Sequence, residues 1–251
     1  MKSVSELKVQ IFADGADKAC MLELSRQPYI KGFTTNPTLM RKAGVTDYER
    51  FAREILQSIP DRPISFEVFA DDEIEMERQA LKIGRWASNV YVKIPVTNTR
   101  RESMASLIHR LSADGIQVNA TAVLALDQVR HIAQALRGGA PSYISVFAGR
   151  VADTGRDPVP LMKSALELMA PEPRCQLVWA SPRELLNIFQ AEEIGCHIIT
   201  VTSDVLKKMS LVGKDLHEYS LETVQMFYND AAHSKFKLEL TPQERPVGLL
   251  A

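Results

Sequence analysis

One lysine stands in a segment that otherwise has the pattern of a buried β-strand. Lys93 lies in Val90–Val96, where its neighbours are apolar, tyrosine or proline. An ammonium group buried there without a partner would be strongly destabilising, and desolvation lowers the pKa of a buried lysine. A neutral amine is a nucleophile toward carbonyl carbon, so the segment favours a lysine that forms a Schiff base. The alternative is a lysine held in an ion pair with a carboxylate for structural reasons.

Two carboxylates, Asp14 and Glu67, stand at or just beyond other predicted strands. A protonated imine withdraws electrons from the adjacent carbon, so a carbon–carbon bond can break when a base removes a proton from the neighbouring hydroxyl. One carboxylate would be that base, and the other would hold a water molecule for proton transfer. The spacing of the residues does not say which carboxylate has which role.

Further polar residues occur at the ends of predicted strands, where a packed core would have apolar side chains. For any one of them a helix cap or a loop edge is the simpler interpretation, and Thr38 or Ser181 alone would be assigned that way. The repetition on several strands instead indicates a site. These residues are Thr34, Asn36, Asn119, Thr121, Ser145, Ser181 and Arg183.

The elements that must position these residues alternate between short apolar runs and segments of helical period. Met104, Leu107, Ile108 and Leu111 form one helical stripe. Eight strand–helix units in a chain of this length predict an α/β fold, a single (β/α)8 TIM barrel, whose catalytic groups lie at the carboxyl ends of the strands. The predicted strands are Val9–Ala13, Ile30–Thr34, Ile64–Phe69, Val90–Ile94, Ile116–Ala120, Tyr143–Phe147, Cys175–Trp179 and His197–Val201.

An additional amphipathic segment, about Leu221–Ala232, follows the last barrel helix. We therefore predict one domain over residues 1–232, formed by the barrel and this C-terminal helix. The tail, residues 233–251, mixes Lys, Glu and Pro and is expected to be disordered, the alternative being an arm that docks on a neighbouring subunit.

Composition excludes several classes of function. The 251 residues carry 30 Lys+Arg and 31 Asp+Glu, a formal net charge of -1 that provides no long-range attraction for nucleic acid or an anionic membrane. No apolar run approaches the roughly 18 residues of a membrane span, so a cytoplasmic protein is expected. Three cysteines without a CxxC pair and five dispersed histidines give no ligand set, and no metal is expected.

Several segments together resemble the transaldolase family of barrel enzymes, which use a lysine on a strand. The compact chain is similar to the small branch of that family, which also contains fructose-6-phosphate aldolases. The resemblance covers about residues 9–206. The segments that carry it are Gly32–Thr38, Ile64–Val68, Val90–Thr97, Val118–Thr121, Ile144–Arg150 and Ala180–Arg183.

The resemblance implies a role for each candidate residue. Lys93 would form the imine with C2 of a ketose, Asp14 would take the hydroxyl proton, and Glu67 with Thr121 would position the catalytic water. A guanidinium fork suits phosphate because it donates two parallel hydrogen bonds. Asn36, Asn119 and Ser145 would contact the hydroxyls of the dihydroxyacetone fragment, and Arg150, Ser181 and Arg183 would contact the sugar phosphate.

Phe147 is the residue that distinguishes transaldolase from aldolase activity, if the resemblance to the family holds at this position. The aldolases of the family have tyrosine at the matching position, and an amide where this chain has Glu67. A phenyl ring cannot donate a proton and it excludes water from the imine. The expected activity is therefore transaldolase: transfer of a dihydroxyacetone unit from a ketose phosphate to an aldose phosphate, without a cofactor. A fructose-6-phosphate aldolase and a non-catalytic sugar-phosphate-binding barrel are the alternatives, and a homo-oligomer is expected.

Three departures from the family pattern affect the surroundings of the site. Gly15 and Ala16 replace the usual hydroxyl residue after the aspartate, and Phe33 is bulkier than the usual residue. Asn98–Arg100 replaces a turn that usually ends in glycine, so this loop is expected to overhang the barrel mouth. Arg100 and Arg101 would either add an anion contact or face water.

Overall fold

The computed structural model describes residues 4–239, which divide into two units. The first comprises residues 4–210 and contains all eight strands. The second comprises residues 211–239 and contains one long helix. Residues 240–251, the larger part of the predicted tail, lie outside the described residues.

The eight strands form a closed parallel barrel in chain order, which confirms the predicted (β/α)8 architecture. Every predicted strand is present, with bounds that differ by at most three residues from those predicted. The strands are β1 Gln10–Asp14, β2 Ile30–Thr34, β3 Ile64–Glu67, β4 Val90–Pro95, β5 Val118–Val123, β6 Ser142–Val146, β7 Cys175–Trp179 and β8 Ile198–Thr202.

Helices connect the strands, and several begin at an aspartate whose side chain accepts backbone N–H groups of the first turn, as Asp17, Asp47, Asp72 and Asp157 do. The barrel helices are α1 Lys18–Ser25, α2 Pro37–Lys42, α3 Tyr48–Ser58, α4 Glu73–Gly84, α5 Ala105–Ala113, α6 Leu126–Ala135, α7 Ala148–Ala152, α8 Pro158–Met169, α9 Leu186–Glu193 and α10 Ser203–Leu206. The short helices α2, α7 and α10 follow β2, β6 and β8 and so lie at the carboxyl end of the barrel.

A layer of aromatic side chains fills the lower part of the barrel interior, which is the side away from the carboxyl ends of the strands. The ring of Tyr143 stacks on that of Tyr91 with centroids 3.9 Å apart, and it meets the ring of Phe12 edge-on at 5.9 Å. Gly32 on β2 faces the ring of Phe12, and a Cβ at Gly32 would lie 2.6 Å from that ring. Glycine is therefore required at this position for the large aromatic side chain to fit.

The inward positions two residues farther along the strands are polar, because side chains on one face of a strand recur with period two. The change from apolar to polar thus occurs between two successive layers of the same barrel. The polar residues that follow the apolar layer in this way are Asp14 after Phe12, Lys93 after Tyr91, Ser145 after Tyr143 and Thr200 after Ile198.

The second unit contains helix α11, Leu216–Ser234, which begins five residues before the predicted segment. Asp215 explains the earlier start, because its side chain accepts hydrogen bonds from the backbone N–H groups of His217 and Glu218. No residue of α11 is buried, and Val224, Phe227 and Tyr228 are 60%, 63% and 74% exposed. Among residues 4–239, no helix is long and apolar enough to cross a membrane.

His197, the residue before β8, is hydrogen-bonded to the middle of β7, and this contact depends on pH. Its Nδ1 accepts a hydrogen bond from the backbone N–H of Leu177 at 3.0 Å, and partial burial lowers the pKa of His197 from its ordinary value of 6.5. The unfolded chain therefore binds this proton more tightly than the folded chain. The stabilisation is present above pH 6.5 and is lost as the pH falls from 6.5 through the lowered pKa.

We expect His197→Asn to remove this part of the pH dependence, because the Asn Oδ1 can accept the same hydrogen bond and does not titrate. At about pH 8 its free energy of unfolding should match that of the wild type. His197→Ala, which has no acceptor, should lose about 1–2 kcal/mol. Urea denaturation between about pH 5 and 8 measures both effects. A His197→Asn protein with the wild-type pH dependence would contradict the assignment.

Candidate active site

A cavity of about 530 Å³ opens at the carboxyl ends of the strands. Eleven of the twelve candidate residues from the sequence line it, although they come from seven different strand ends. Asn119 is the exception and lies behind the cavity wall. The eleven are Asp14, Thr34, Asn36, Glu67, Lys93, Thr121, Ser145, Phe147, Arg150, Ser181 and Arg183.

Lys93 is buried in the cavity wall with two partners. Its Nζ lies 3.1 Å from Glu67 Oε2 and donates a hydrogen bond to the carbonyl oxygen of Thr35 at 3.0 Å. Glu67 and Lys93 are register neighbours on β3 and β4, and this pairing brings the two side chains together. Lys93 is therefore ion-paired with a barrel carboxylate, and its amine is within reach of the cavity.

Asp14, the last residue of β1, borders the same cavity. Burial raises the pKa of Asp14 above its ordinary value, and the charge of Glu67 raises it further, whereas Lys93 and a hydrogen bond from Thr34 lower it. Thr34 Oγ1 donates to Asp14 Oδ1 at 2.7 Å. A carboxyl whose pKa lies above the usual range can accept a proton in the middle of a reaction and release it later.

Thr121 lines the cavity at a point where strand β5 is irregular. The register between β5 and β6 shifts between Ala120 and Val123, and Ala122 has φ of 61°, in the left-handed region that non-glycine residues rarely adopt. The hydroxyl of Thr121 is buried and has no hydrogen-bond partner among the described residues. It is thus available to hold a water molecule or a substrate group.

Asn119 contacts other protein groups with both ends of its amide. Its Nδ2 donates to Ser65 Oγ at 3.0 Å, and its Oδ1 accepts from Ser145 Oγ at 2.7 Å. Because the proton of Ser145 is used in this way, the Ser145 oxygen faces the cavity as an acceptor. The geometry makes Asn119 a residue that orients Ser145.

Asn36 combines a structural and a polar role. Its Oδ1 accepts from the backbone N–H of Leu39 and caps α2, as helix-capping chemistry predicts. The amide nitrogen of the same side chain retains two donors, and Asn36 lines the cavity. A helix cap and a ligand contact are therefore compatible at this residue.

Arg150 and Phe147 form one side of the cavity. The guanidinium carbon of Arg150 lies 5.7 Å from the centroid of the Phe147 ring, within the range of a cation–π contact. Phe147 directly follows β6 and precedes the short helix α7, which carries Arg150. The ring therefore both borders the cavity and supports a cation at its rim.

Arg183 is held by Asp153. Its Nε donates to Asp153 Oδ1 at 2.9 Å and its Nη2 contacts Asp153 Oδ2, so the guanidinium fork grips the carboxylate with two bonds. This hydrogen bonding keeps the pKa of Asp153 below its usual range. Helix α9 begins at Leu186, and Asn187 Oδ1 accepts hydrogen bonds from the backbone N–H groups of Arg183 and Glu184.

Ser181 occupies a tight loop after β7 with φ of 60°. The loop passes so close to α7 that a Cβ on Gly149 would lie 1.6 Å from the Ser181 carbonyl oxygen and 3.3 Å from Arg183 Nε. Gly149 thus permits the approach that brings the two arginine-bearing segments together.

The structure accounts for two of the three departures seen in the sequence. Asn98 Oδ1 accepts the backbone N–H groups of Arg100 and Glu102 and so forms the turn that glycine would otherwise make. Arg100 pairs with Asp71 and Glu102, and neither Arg100 nor Arg101 lines the cavity. Phe33 is fully buried and also lies outside the cavity lining, so its bulk does not narrow the site.

Sequence reasoning missed three residues that contribute to this site. Thr200 lines the cavity from β8, and a polar residue within the apolar run of that strand is the same signal that revealed Lys93. Lys42, at the end of α2, also lines the cavity. Asp153 had no signal in the sequence, because its importance follows from its contact with Arg183.

No group of three or more His, Cys, Asp or Glu side chains within residues 4–239 is arranged to hold a metal ion. The described cavity instead offers two amines, two carboxylates, several hydroxyls and two guanidinium groups. These groups lie at the carboxyl end of a closed eight-stranded barrel, the position where barrel enzymes perform their chemistry.

The chain belongs to the family described as Transaldolase/Fructose-6-phosphate aldolase, whose model matches residues 11–243. A probable transaldolase of Dehalococcoides mccartyi is 34% identical over 202 residues, which cover 80% of this chain and 90% of that protein. The probable transaldolase 2 of Listeria monocytogenes is 33% identical over 202 residues, covering 80% and 88%.

A solved structure supports the fold independently. An HpcH/Hpal aldolase/citrate lyase family protein from Burkholderia cenocepacia superposes with a TM-score of 0.56 at 15% identity. The match covers 87% of this chain and 95% of that chain. At this identity the likeness shows the barrel architecture alone.

Gly149→Ala tests the close approach at the arginine side of the cavity. We expect the added methyl group to push the Ser181 loop away and to cost about 1–3 kcal/mol of unfolding free energy, as overpacking does. Gly15→Ala is the matched control, since a Cβ there meets nothing within 4 Å. Thermal and urea denaturation compare the two. Equal stability of both variants would show that the approach is not a constraint.

Proposed function

We propose that the protein is a transaldolase that transfers a dihydroxyacetone unit from a ketose phosphate to an aldose phosphate through a Schiff base on Lys93. Fructose 6-phosphate and sedoheptulose 7-phosphate are the proposed donors. The observation that carries the proposal is the buried Lys93 amine in the cavity wall, 3.1 Å from Glu67 Oε2 and beside Asp14. Membership in the transaldolase/aldolase family agrees with this chemistry.

Imine formation needs a neutral amine and a path for protons. Glu67 contacts Lys93 Nζ and can accept its proton, which frees the lone pair to attack C2 of the ketose. The carbinolamine then loses water to give the protonated imine. Thr121, whose hydroxyl has no partner among the described residues, would hold the water that carries protons between Glu67 and the substrate.

Bond cleavage is assigned to Asp14. Its carboxylate removes the proton of the C4 hydroxyl, and the electron pair of the C3–C4 bond moves into the imine to give an enamine. The C4 fragment leaves as an aldose phosphate, and Asp14 keeps the proton. The raised pKa of Asp14 suits this step, because a base must hold the proton until the acceptor needs it.

Transfer reverses the same steps with a second aldehyde. The enamine carbon attacks the aldehyde carbon of the acceptor, and Asp14 returns its proton to the new hydroxyl. Hydrolysis of the imine then releases the product ketose and restores Lys93. Ser145 and Asn36, which present an acceptor and donors to the cavity, would hold the hydroxyls of the three-carbon unit.

The phosphate of either sugar would bind on the arginine side. Arg150 and Arg183 line the cavity there, with Ser181 between them and the strand ends. Arg183 makes a bidentate contact with Asp153, so a phosphate dianion would take over donors that now serve the carboxylate. The two guanidinium groups of Arg150 and Arg183 outnumber the one exposed carboxylate of Asp153. The resulting net positive charge favours the binding of an anion.

Borohydride trapping tests the Schiff base. Reduction in the presence of fructose 6-phosphate should leave a dihydroxyacetone-derived adduct on the peptide that contains Lys93, detected by mass spectrometry. Lys93→Met should show no adduct and no turnover.

Lys42 provides an internal control, since it also lines the cavity but should stay unmodified. An unmodified Lys93 in folded protein would overturn the proposal. Sugar-phosphate binding without any turnover would then support the non-catalytic barrel.

Phe147 is the observation that favours transfer over simple aldol cleavage. Its ring borders the cavity and offers no proton to the enamine, whereas a tyrosine hydroxyl would. An enamine that is not protonated persists until an acceptor aldehyde arrives.

We expect the wild type to release dihydroxyacetone from fructose 6-phosphate slowly, and erythrose 4-phosphate to open a much faster route. Phe147→Tyr should raise the aldol-cleavage rate relative to transfer, and Phe147→Leu, which adds no hydroxyl, should not. Coupled assays for free dihydroxyacetone and for the transfer product measure both rates. If the wild type releases dihydroxyacetone as fast without an acceptor as it turns over with one, it is an aldolase.

A homo-oligomer remains a prediction that goes with this function. The exposed apolar side chains of α11, Val224, Phe227 and Tyr228 among them, provide surface that a second copy could cover. The molecular mass in solution decides between an oligomer and a monomer.

A further inference from the structure

Two threonines from the strands on either side of β1 form a chain of hydroxyl groups that ends on Asp14. Thr34 on β2 is the register neighbour of Asp14, and its Oγ1 contacts Asp14 Oδ1 at 2.7 Å. The same Oγ1 is hydrogen-bonded to Oγ1 of Thr200 on β8. Thr34 and Thr200 are 3% and 6% exposed, so water does not compete freely for these bonds.

The direction of the chain follows from the number of protons. An ionised carboxylate only accepts, so Thr34 must give its single hydroxyl proton to Asp14. The Thr34 oxygen is then an acceptor, and Thr200 must donate to it. If Asp14 carried a proton on Oδ1, that proton would point at the Thr34 oxygen, and the hydroxyl groups of Thr34 and Thr200 would both have to rotate. The ordered chain is therefore complete when Asp14 is ionised.

We propose that Thr200 is a positioning residue that acts through Thr34 to keep Asp14 ionised and to hold its Oδ1, leaving Oδ2 to face the substrate. The inference rests on the proposed function, in which Asp14 removes a hydroxyl proton. Asp14 Oδ2 has no hydrogen-bond partner among residues 4–239. Neither threonine touches the reacting atoms in this scheme.

Asp14 needs such support because its surroundings oppose its charge. Burial raises the pKa of Asp14 most, and the charge of Glu67 on β3 adds to that, while Lys93 on β4 opposes both. The strands that flank β1 present hydroxyls to Asp14. Gly15 follows Asp14 and supplies no side-chain donor. Charged residues also line the neighbouring cavity that Asp14 borders, namely Asp17, Lys42, Asp204 and Lys207.

The experiment compares four variants of the 251-residue protein. Thr200→Val removes the donor and keeps the shape, and Thr200→Ser keeps the donor. Thr34→Val removes the bond to Asp14 itself, and Thr34→Val with Thr200→Val removes both. Because each loss favours protonated Asp14, the acid limb of kcat/KM should move to higher pH. The expected shift is about one pH unit for Thr34→Val and a fraction of that for Thr200→Val.

The double variant supplies the sharpest test. If Thr200 acts through Thr34, the double variant should show the acid limb of Thr34→Val and no further shift. Thr200→Ser should restore the wild-type profile. Additive shifts, or an unchanged limb in Thr200→Val, would overturn the proposal. Should Thr200→Val fold poorly, Thr200→Ala gives the same comparison without the hydroxyl.

A second readout does not depend on turnover. The carboxyl carbon of Asp14 can be titrated by NMR in protein labelled with ¹³C-aspartate, with Asp14→Asn to assign the signal. The pH midpoint of the Asp14 titration should rise across the variants in the same order as the acid limb of kcat/KM, least in Thr200→Val and most in Thr34→Val. A protein that lacks ketose cleavage would refute the proposed function, yet this titration would still support or refute the hydroxyl chain.

Discussion

A positive charge in the wall of a closed barrel is the constraint around which the site is arranged. Lys93 faces inward because of its position in β4, and the interior offers no bulk water to stabilise it. Glu67 and the carbonyl of Thr35 provide that stabilisation. The positions of both follow from strand register, so the barrel closure and the ion pair depend on each other. Without the lysine, Glu67 and Asp14 would be two neighbouring carboxylates without a cation between them.

The sequence predicted the barrel and most of the site because both depend on short-range patterns. Strand period two shows which residues share a face, and the carboxyl ends of parallel strands converge at one mouth. A lysine in Val90–Val96 is conspicuous under these rules, as are the polar residues at the other strand ends. For Lys93 the sequence left open a Schiff base or an ion pair, and the structure shows the ion pair with Glu67 in the wall of the cavity.

The rest of the site depends on contacts between distant segments, which no local pattern specifies. The left-handed residues Ala122 and Ser181 bend the chain where the sequence shows no glycine. Asn119 is oriented by Ser65 and Ser145, residues 54 and 26 positions away. Asp153 and Arg183 meet across 30 residues. In each case the register of neighbouring strands or the course of a loop decides which groups meet.

The aromatic layer of Phe12, Tyr91 and Tyr143 has a consequence for the order of events. Because these buried rings fill the barrel interior below Lys93, the cavity is closed on that side and is reached from the carboxyl ends of the strands. Under the proposed function, the aldose phosphate that leaves and the one that enters use that end of the barrel in turn, and both need the same arginines. If the enzyme works as proposed, its kinetics would be of the ping-pong type, in which high concentrations of the acceptor compete with the donor for the free enzyme.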